Sequence, residues 1–299
     1  MRIISILFLI INLNLILIQS LLETNSKRGY LSSLNKLNTP FQSLDSNKID
    51  LCFSSAFLGF ARHAGFYQAL EDTGVSRFTG SCIGTSSGAL AAAMVSSGFN
   101  AERLNNELSQ QAPIKLMRLS GPRSIKQGLF TLDKLINHLK DIGIPQDFND
   151  FKYPVSFGVI EPNGEFTLID NGDAHAAIAA SCAIPVVFRN VEAGLPPRKM
   201  YDGGVKERTG VDQWSKWNRS NERILVHLVK SSKEKLDDPA TNSNIEIPSG
   251  KLLHAVKTPK TRANFWSLKN YEEQKAVAYS ITMKQLYSSE FDNFISSSP

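Results

Sequence analysis

The chain has 299 residues and an ordinary apolar content of 42 %, enough for one large α/β domain or two small ones around a packed core. Its formal net charge of +5 comes without a dense Lys/Arg stripe interleaved with aromatics, which gives no basis for a nucleic-acid partner and is compatible with an anionic lipid surface. Cys52, Cys82 and Cys182 all lie in apolar or small-residue runs, and no C-x-x-C or H-E-x-x-H spacing occurs; buried free thiols are expected, with no disulfide framework, metal site or cofactor.

Taken in order, Met1 and Arg2 precede an apolar run, Ile3 to Ile18, that ends at Gln19-Ser20. Residues 1–20 read as a secretory signal peptide, or as an uncleaved signal anchor, since the run is near the minimum that spans a bilayer. Residues 21–49 read as a linker or as a transit-like segment. Thr24 to Lys48 is rich in Ser, Asn, Leu and Lys and holds one acidic residue, Asp45, as transit peptides do. The expected destination is the ER or the exterior, with a plastid reached by signal plus transit leader as the alternative. The sequon Asn218-Arg219-Ser220 does not separate them.

Ile49 to Phe53 is expected as a short buried strand, Ser54 to Gly59 as the loop after it, and Ala61 to Glu71 as a helix capped by Gly74. A loop of small residues between a first strand and a helix suits an oxyanion hole, because its N–H groups can face a developing negative charge. Gly84-Thr85-Ser86-Ser87-Gly88 follows, with Phe78 to Ile83 as a strand before it and Ala89 to Ser96 as a helix after it. That context makes G-x-S-x-G a nucleophile elbow. The serine sits on a sharp turn, and Gly84 and Gly88 let strand and helix backbones approach. Ser86 then stands at a helix N-terminus, where negative charge is favoured.

Helical periodicity covers Asn100 to Leu108 and Leu132 to Lys140, with Ser120-Gly121-Pro122 breaking the chain between them. Val155 to Ile160 and Phe166 to Ile169 read as strands joined by the hairpin turn Glu161-Pro162-Asn163-Gly164. Ala174 to Cys182 reads as a short helix of small residues stopped by Pro185. Lys199 to Val205 is a strand end running into a glycine turn, where Asp202 can accept a proton from a serine and Gly203 and Gly204 leave the space beside it open. Ile224 to Val229 is a later inner strand. Trp214 and Trp217 read either as partly buried or as an interfacial contact. Ser231 to Pro248 reads as a surface loop, and Tyr271 to Tyr287 as a helix that packs through Ala276, Ala278, Ile281 and Leu286. His63, inside the first helix, reads as structural.

The small-residue loop, Gly84–Gly88 and Asp202-Gly203-Gly204, in this order, resemble the patatin-like phospholipase family. Ala180 to Phe188 is similar to that family's A-S-x-A-x-P-x-x-F stretch. The resemblance covers Asp50 to Val229. It implies a three-layer α/β/α domain with a central, mostly parallel sheet over residues 50–230, with 231–299 as a C-terminal loop and helix on the same domain. It implies a lipid acyl hydrolase that cleaves carboxylic esters of membrane glycerolipids, phospholipid or galactolipid, at a bilayer surface. Ser86 would be the nucleophile and Asp202 the base, with Ser55, Ala56 and Phe57 around the oxyanion. The oligomeric state is open.

One departure bears on the chemistry. The family loop is usually G-x-G-x-x-G with a basic neighbour, whereas this chain keeps only Gly59 and has Leu58 where Arg or Lys is common. If Ala56 must adopt φ > 0, alanine is disfavoured by roughly 1 kcal/mol or more, and a weakened hole is expected. Two other readings stay open. One is an α/β-hydrolase triad of Ser86, Asp202 and His227 or His254, although the elbow comes early for that fold. The other is a lipid-binding protein that kept the fold without the activity.

Overall fold

The computed structural model describes residues 48–110, 112–121, 128–230 and 250–297. The leader expected over 1–20, nearly all of 21–49 and the loop expected at Ser231 to Pro248 lie outside the described residues. In chain order the elements are β1 (Ile49–Phe53), α1 (Phe60–Asp72), β2 (Thr79–Thr85), α2 (Ser87–Ser96), α3 (Ala101–Ser109), β3 (Arg118–Leu119), β4 (Phe130–Thr131), α4 (Asp133–Asp141), β5 (Val155–Ile160), β6 (Phe166–Ile169), α5 (Ala174–Ser181), β7 (Val191–Ala193), β8 (Arg198–Asp202), α6 (Val211–Lys216), β9 (Arg223–Val229), β10 (Leu252–Thr258), α7 (Tyr271–Leu286) and α8 (Ser289–Ser296).

The main sheet runs β10-β9-β1-β2-β5-β8-β7, with β6 also paired to β5. The five strands from β10 to β5 are parallel, and β6, β7 and β8 add antiparallel pairs. Parallel strands need helical crossovers that cover both faces, so the inner strands are buried on both sides; β1, β2 and β9 are buried along their whole length, polar residues such as Asp50, Ser81 and His227 included. Alternation along β1 sends Phe53 to one face and Cys52 to the other. On the first face Phe53 packs edge-on against Phe66 and His63 of α1. On the second, Cys52, Ile224 and Val226 pack with Val211 and Trp214 of α6. This is the three-layer α/β/α arrangement. A separate ribbon pairs β3 with β4.

Asp50 shows how the sequence fixes the start of β1. The side chain is fully buried, and its carboxylate accepts from Ser81 N (2.8 Å), Trp214 Nε1 (2.7 Å), Asn221 N (2.7 Å) and Asn221 Nδ2 (2.6 Å). A buried charge is tolerated when it is so fully hydrogen-bonded. The same bond takes Trp214 out of any interfacial role: it is buried, at the end of β1 away from the loop 54–59. Trp217 is half-buried and donates to Asp170 Oδ2 at 2.8 Å. The interfacial reading of the pair is therefore corrected to packing and hydrogen bonding within the domain.

The C-terminal segment completes the domain. β10 extends the sheet beside β9, and α7 lies on α1, where the buried Arg62 donates from Nη1 to Gln274 O at 2.8 Å. The buried face of α7 is Tyr271, Gln274, Ala278, Thr282, Met283 and Leu286. Of the expected packing residues, Ala276 is exposed and Ile281 half-buried, because the i, i+4 stripe starts from Tyr271 rather than Ala276. All three cysteines are free. Among the described residues no helix is long and apolar enough to cross a membrane.

Candidate active site

Ser86 is the single residue between β2 and α2, at φ 56° and ψ −122°. That is a sparsely populated backbone region for a side chain with a Cβ, and strain of this kind persists only where neighbours hold it. The neighbours are identifiable. A Cβ on Gly84 would fall 2.6 Å from Gly88 C, and one on Gly88 would fall 2.6 Å from Phe53 C and 2.8 Å from Ser54 O. Glycine at both positions lets β2 and α2 close on each other and on the end of β1. Ser86 N donates to Ser181 Oγ at 2.9 Å, and Ser181 Oγ donates to Gly158 O at 2.7 Å. Cys182 Sγ donates to Ser86 O at 3.3 Å. The run Ala-Ser-Cys at the end of α5 thus clamps the strained residue.

Asp202 ends β8, in register with Val159 of β5, which also pairs with β2. This brings its carboxylate to Ser86: Oγ donates to Oδ2 at 2.7 Å. The other oxygen accepts from Gly204 N at 2.7 Å, which fixes the carboxyl plane. Burial, with only 3 % of Asp202 exposed, pushes its pKa up to about 6, and the hydrogen bonds from Ser86 and Gly204 pull part of the way back. The result is a carboxylate that is ionised at neutral pH yet more basic than a surface aspartate. Gly203 and Gly204 make room as expected: a Cβ on Gly203 would lie 2.6 Å from Gly158 C, and one on Gly204 would lie 2.5 Å from Ser55 Cβ.

The loop after β1 is held in a way that the sequence did not announce. Ser55 N donates to Arg208 O at 2.6 Å, so this N–H is engaged and unavailable to a ligand; Ser55 is corrected from the oxyanion set. Ser55 O in turn accepts from Arg208 Nε (3.2 Å) and Nη2 (2.9 Å), and Nη2 also donates to Val229 O. Ala56 O accepts from Ser87 Oγ at 2.7 Å. Carbonyl and N–H of one trans peptide point in opposite directions. Arg208, gripping Ser55 O, therefore aims the Ala56 N–H, and Ser87, gripping Ala56 O, aims the Phe57 N–H. Neither N–H has an acceptor among the described residues. Ala56 is not a positive-φ residue, and the left-handed position of the loop is Leu58, at φ 51°. The weakened hole expected from alanine at position 56 loses its physical basis.

An apolar pocket opens from Ser86. It is lined by Phe57, Leu90, Met117, Leu132, Leu135 and Phe188, among others. Its lining suits an acyl chain better than a polar group. Histidines do not contribute. His63 and His227, both fully buried, face each other through Nδ1 at 2.8 Å, and His227 Nε2 pairs with Thr258 Oγ1 at 3.0 Å. Burial holds the His63 pKa down to about 3 and that of His227 well below its usual range, so both are neutral. His254 packs against the rings of Phe291 and Phe294. No histidine hydrogen-bonds Ser86 or Asp202 among the described residues, which leaves the triad reading without its third member. The described residues also hold no cluster of His, Cys, Asp and Glu that could bind a metal.

Comparison with known proteins gives the chain a family. The family model described as patatin-like phospholipase matches residues 51–213, more than half of the chain. The chain belongs to the patatin-like phospholipase family. No curated protein matches its sequence. Similar solved structures include VipD from Legionella pneumophila, at 12 % identity and a TM-score of 0.49, with 80 % of this chain and 67 % of that one covered. The type III effector ExoU is similar at 14 % identity and a TM-score of 0.46, covering 80 % and 53 %. ExoU in its complex with SpcU, from Pseudomonas aeruginosa, gives 12 % and 0.45, covering 81 % and 53 %. The chain spans about half the length of the ExoU chains. Strands β9 and β10 and helices α7 and α8 lie beyond the family match, yet belong to the same sheet and its cover.

Proposed function

We propose that this patatin-like protein is a lipid acyl hydrolase that cleaves carboxylic esters of membrane glycerolipids, phospholipid or galactolipid, through an acyl-enzyme on Ser86. The observation that carries the reading is the 2.7 Å hydrogen bond from a strained elbow serine to a buried carboxylate, at the floor of an apolar pocket. Ser86 Oγ attacks the ester carbonyl while Asp202 Oδ2 takes its proton. The tetrahedral oxyanion is met by the Ala56 and Phe57 N–H groups. Collapse breaks the ester bond, and the leaving alcohol takes the proton from Asp202. Water then attacks the acyl-enzyme as Asp202 accepts its proton, and collapse breaks the acyl–Oγ bond with that proton passing from Asp202 to Ser86 Oγ, so the fatty acid leaves and both residues are regenerated. The apolar leader, Ile3 to Ile18, supports a place in the secretory pathway.

The pH dependence tests the assignment of the base. Asp202 must be ionised to accept a proton, and its pKa lies at about 6. kcat/KM for a soluble p-nitrophenyl ester is expected to rise as pH rises through about 6 and to level off above it. A profile that is flat across that interval in the folded protein would remove Asp202 from the role.

Arg208 is proposed as the positioning residue of the oxyanion loop, supplying from the base side of the site the cation that Leu58 does not. Arg208→Ala is expected to lower kcat by about 10²-fold, with KM little changed, since the N–H it aims acts in the transition state. Arg208→Lys, which keeps a charge but not the fork on Ser55 O, recovers part of the loss. A rise in KM at unchanged kcat in both variants would contradict this role.

A further inference from the structure

Five of the eight large apolar side chains that the described residues leave exposed stand on the segments around the mouth of the Ser86 pocket. They are Phe57, Leu119, Leu129, Val186 and Trp266. Val186 is 81 % exposed, Trp266 74 % and Leu119 73 %. These segments are bonded to one another. β3 pairs with β4, Leu129 N donates to Val186 O at 3.3 Å, and Phe130 N donates to Val187 O at 2.9 Å. Ile114 N donates to Phe265 O at 2.8 Å, and the Phe265 ring meets Phe57 edge-on at 5.1 Å between centroids. Phe57, Met117, Phe188 and Phe265 line the pocket itself. The apolar surface outside and the apolar pocket inside are therefore one continuous surface. Val186 is also a β-branched residue at φ 72°, a conformation such side chains rarely adopt. A strained, exposed valine and an exposed tryptophan at one mouth are unfavourable in water, and apolar patches of this kind mark interaction sites.

The charge around the patch selects the occupant. Residues 112–121, 128–132, 184–190 and 259–270 contain Lys115, Arg118, Arg189, Lys260, Arg262 and Lys269, and no Asp or Glu. Lys115, Arg118, Lys260, Arg262 and Lys269 are exposed. Asp133 and Glu273 stand just outside these segments, Glu273 in a 3.9 Å ion pair with Arg262, so the cations remain in excess. Apolar residues flanked by such a basic excess fit a surface that is anionic at its headgroups and apolar below them. We propose that this face docks on an anionic lipid bilayer, with Leu119, Val186 and Trp266 inserted at headgroup depth, so that an acyl chain passes from the bilayer into the pocket without crossing water. The proposal rests on the hydrolase reading only for the identity of the pocket's occupant.

Trp266 supplies the test. Of the three tryptophans, Trp214 is buried and Trp217 half-buried, so an acyl-chain quencher reports on Trp266. The full chain is mixed with vesicles of phosphatidylserine and phosphatidylcholine brominated in its acyl chains. Tryptophan emission is expected to be quenched, Trp266→Phe to abolish that component, and Leu119→Asp or omission of phosphatidylserine to weaken the vesicle concentration dependence about ten-fold. Unquenched emission, whether or not the chain sediments with the vesicles, would overturn the proposal, as would quenching that survives Trp266→Phe. A concentration-dependent dimer that Leu119→Asp dissolves would assign the face to a second copy and overturn it equally. Ser86→Ala separates this result from the hydrolase reading: quenching should persist in that variant, and soluble-ester turnover retained by it would sink the hydrolase reading alone.

Discussion

Asp202→Asn is expected to remove turnover and stabilise the fold at the same time. The carboxylate is buried and its pKa is raised to about 6, above the ordinary aspartate value near 3.9. A raised carboxylate pKa means that the native state holds the proton more tightly than the unfolded chain. Its contribution to stability is therefore fully present below about pH 4 and is lost as pH rises through about 6. At pH 8 the native protein carries the whole penalty of a desolvated charge. Asparagine is neutral at every pH and keeps an oxygen for Gly204 N, so the variant should be more stable at pH 8 by about 2–3 kcal/mol, the free-energy equivalent of that difference in pKa. The gain should shrink towards zero at pH 4. Asparagine cannot take the Ser86 proton, and kcat should fall by about 10²–10⁴-fold, the usual range for a lost general base. Urea unfolding at both pH values, beside ester turnover, measures the two effects. A variant destabilised at pH 8, or one that keeps full turnover, would contradict the electrostatic description of the site.

Gly88→Ala is expected to cost more than about 3 kcal/mol, beyond the range typical of overpacking by one methyl group. The added Cβ would meet Phe53 C at 2.6 Å and Ser54 O at 2.8 Å, and these are backbone atoms of β1 and of the loop after it. No side-chain rotation relieves that contact. Either α2 leaves the sheet or the end of β1 moves, and the second outcome displaces the loop whose Ala56 and Phe57 N–H groups are proposed to meet the oxyanion. Loss of stability and loss of activity should therefore appear together. Gly121→Ala is the matched control, because among the described residues no atom beyond its chain neighbours lies within 4 Å of the methyl group it would gain, and it should change stability by less than about 0.5 kcal/mol. Equal thermal midpoints for the two variants would show that the close approach at the elbow is not what holds it.

Those two residues also mark what the sequence makes legible. The first strand, Ile49 to Phe53, is found with those bounds, and the elbow lies between β2 and α2, because each is written in a few adjacent residues whose chemistry has few alternatives. Asp202 is legible for the same reason: an aspartate followed by two glycines at a strand end has a local signature. Arg208 is not legible. Its function depends on Ser55 and Val229 lying beside it, 153 and 21 residues away in the chain. The His63–His227 pair, separated by 164 residues, is hidden likewise. Strand β10 follows a long polar stretch and alternates half-buried with buried residues, so it lacks the continuous apolar run that identified β9. Of the two readings of Trp214, burial holds and the interfacial one fails, because its partner is a carboxylate at the far end of another strand. The inference about Ala56 failed at the backbone: the left-handed residue of the loop is Leu58, and residue type alone does not assign a φ.

The proposed mechanism makes Ser86 the one activated nucleophile of the chain. Treatment of the folded protein with a fluorophosphonate probe, followed by trypsin and mass spectrometry, tests this most directly, since the label should fall on the peptide Phe78–Arg103 at Ser86. Labelling should follow the ionisation of Asp202, rising with pH through about 6, and should be lost in Ser86→Ala. Label on another residue, or a folded protein that hydrolyses the soluble ester while Ser86 stays unmodified, would contradict the account.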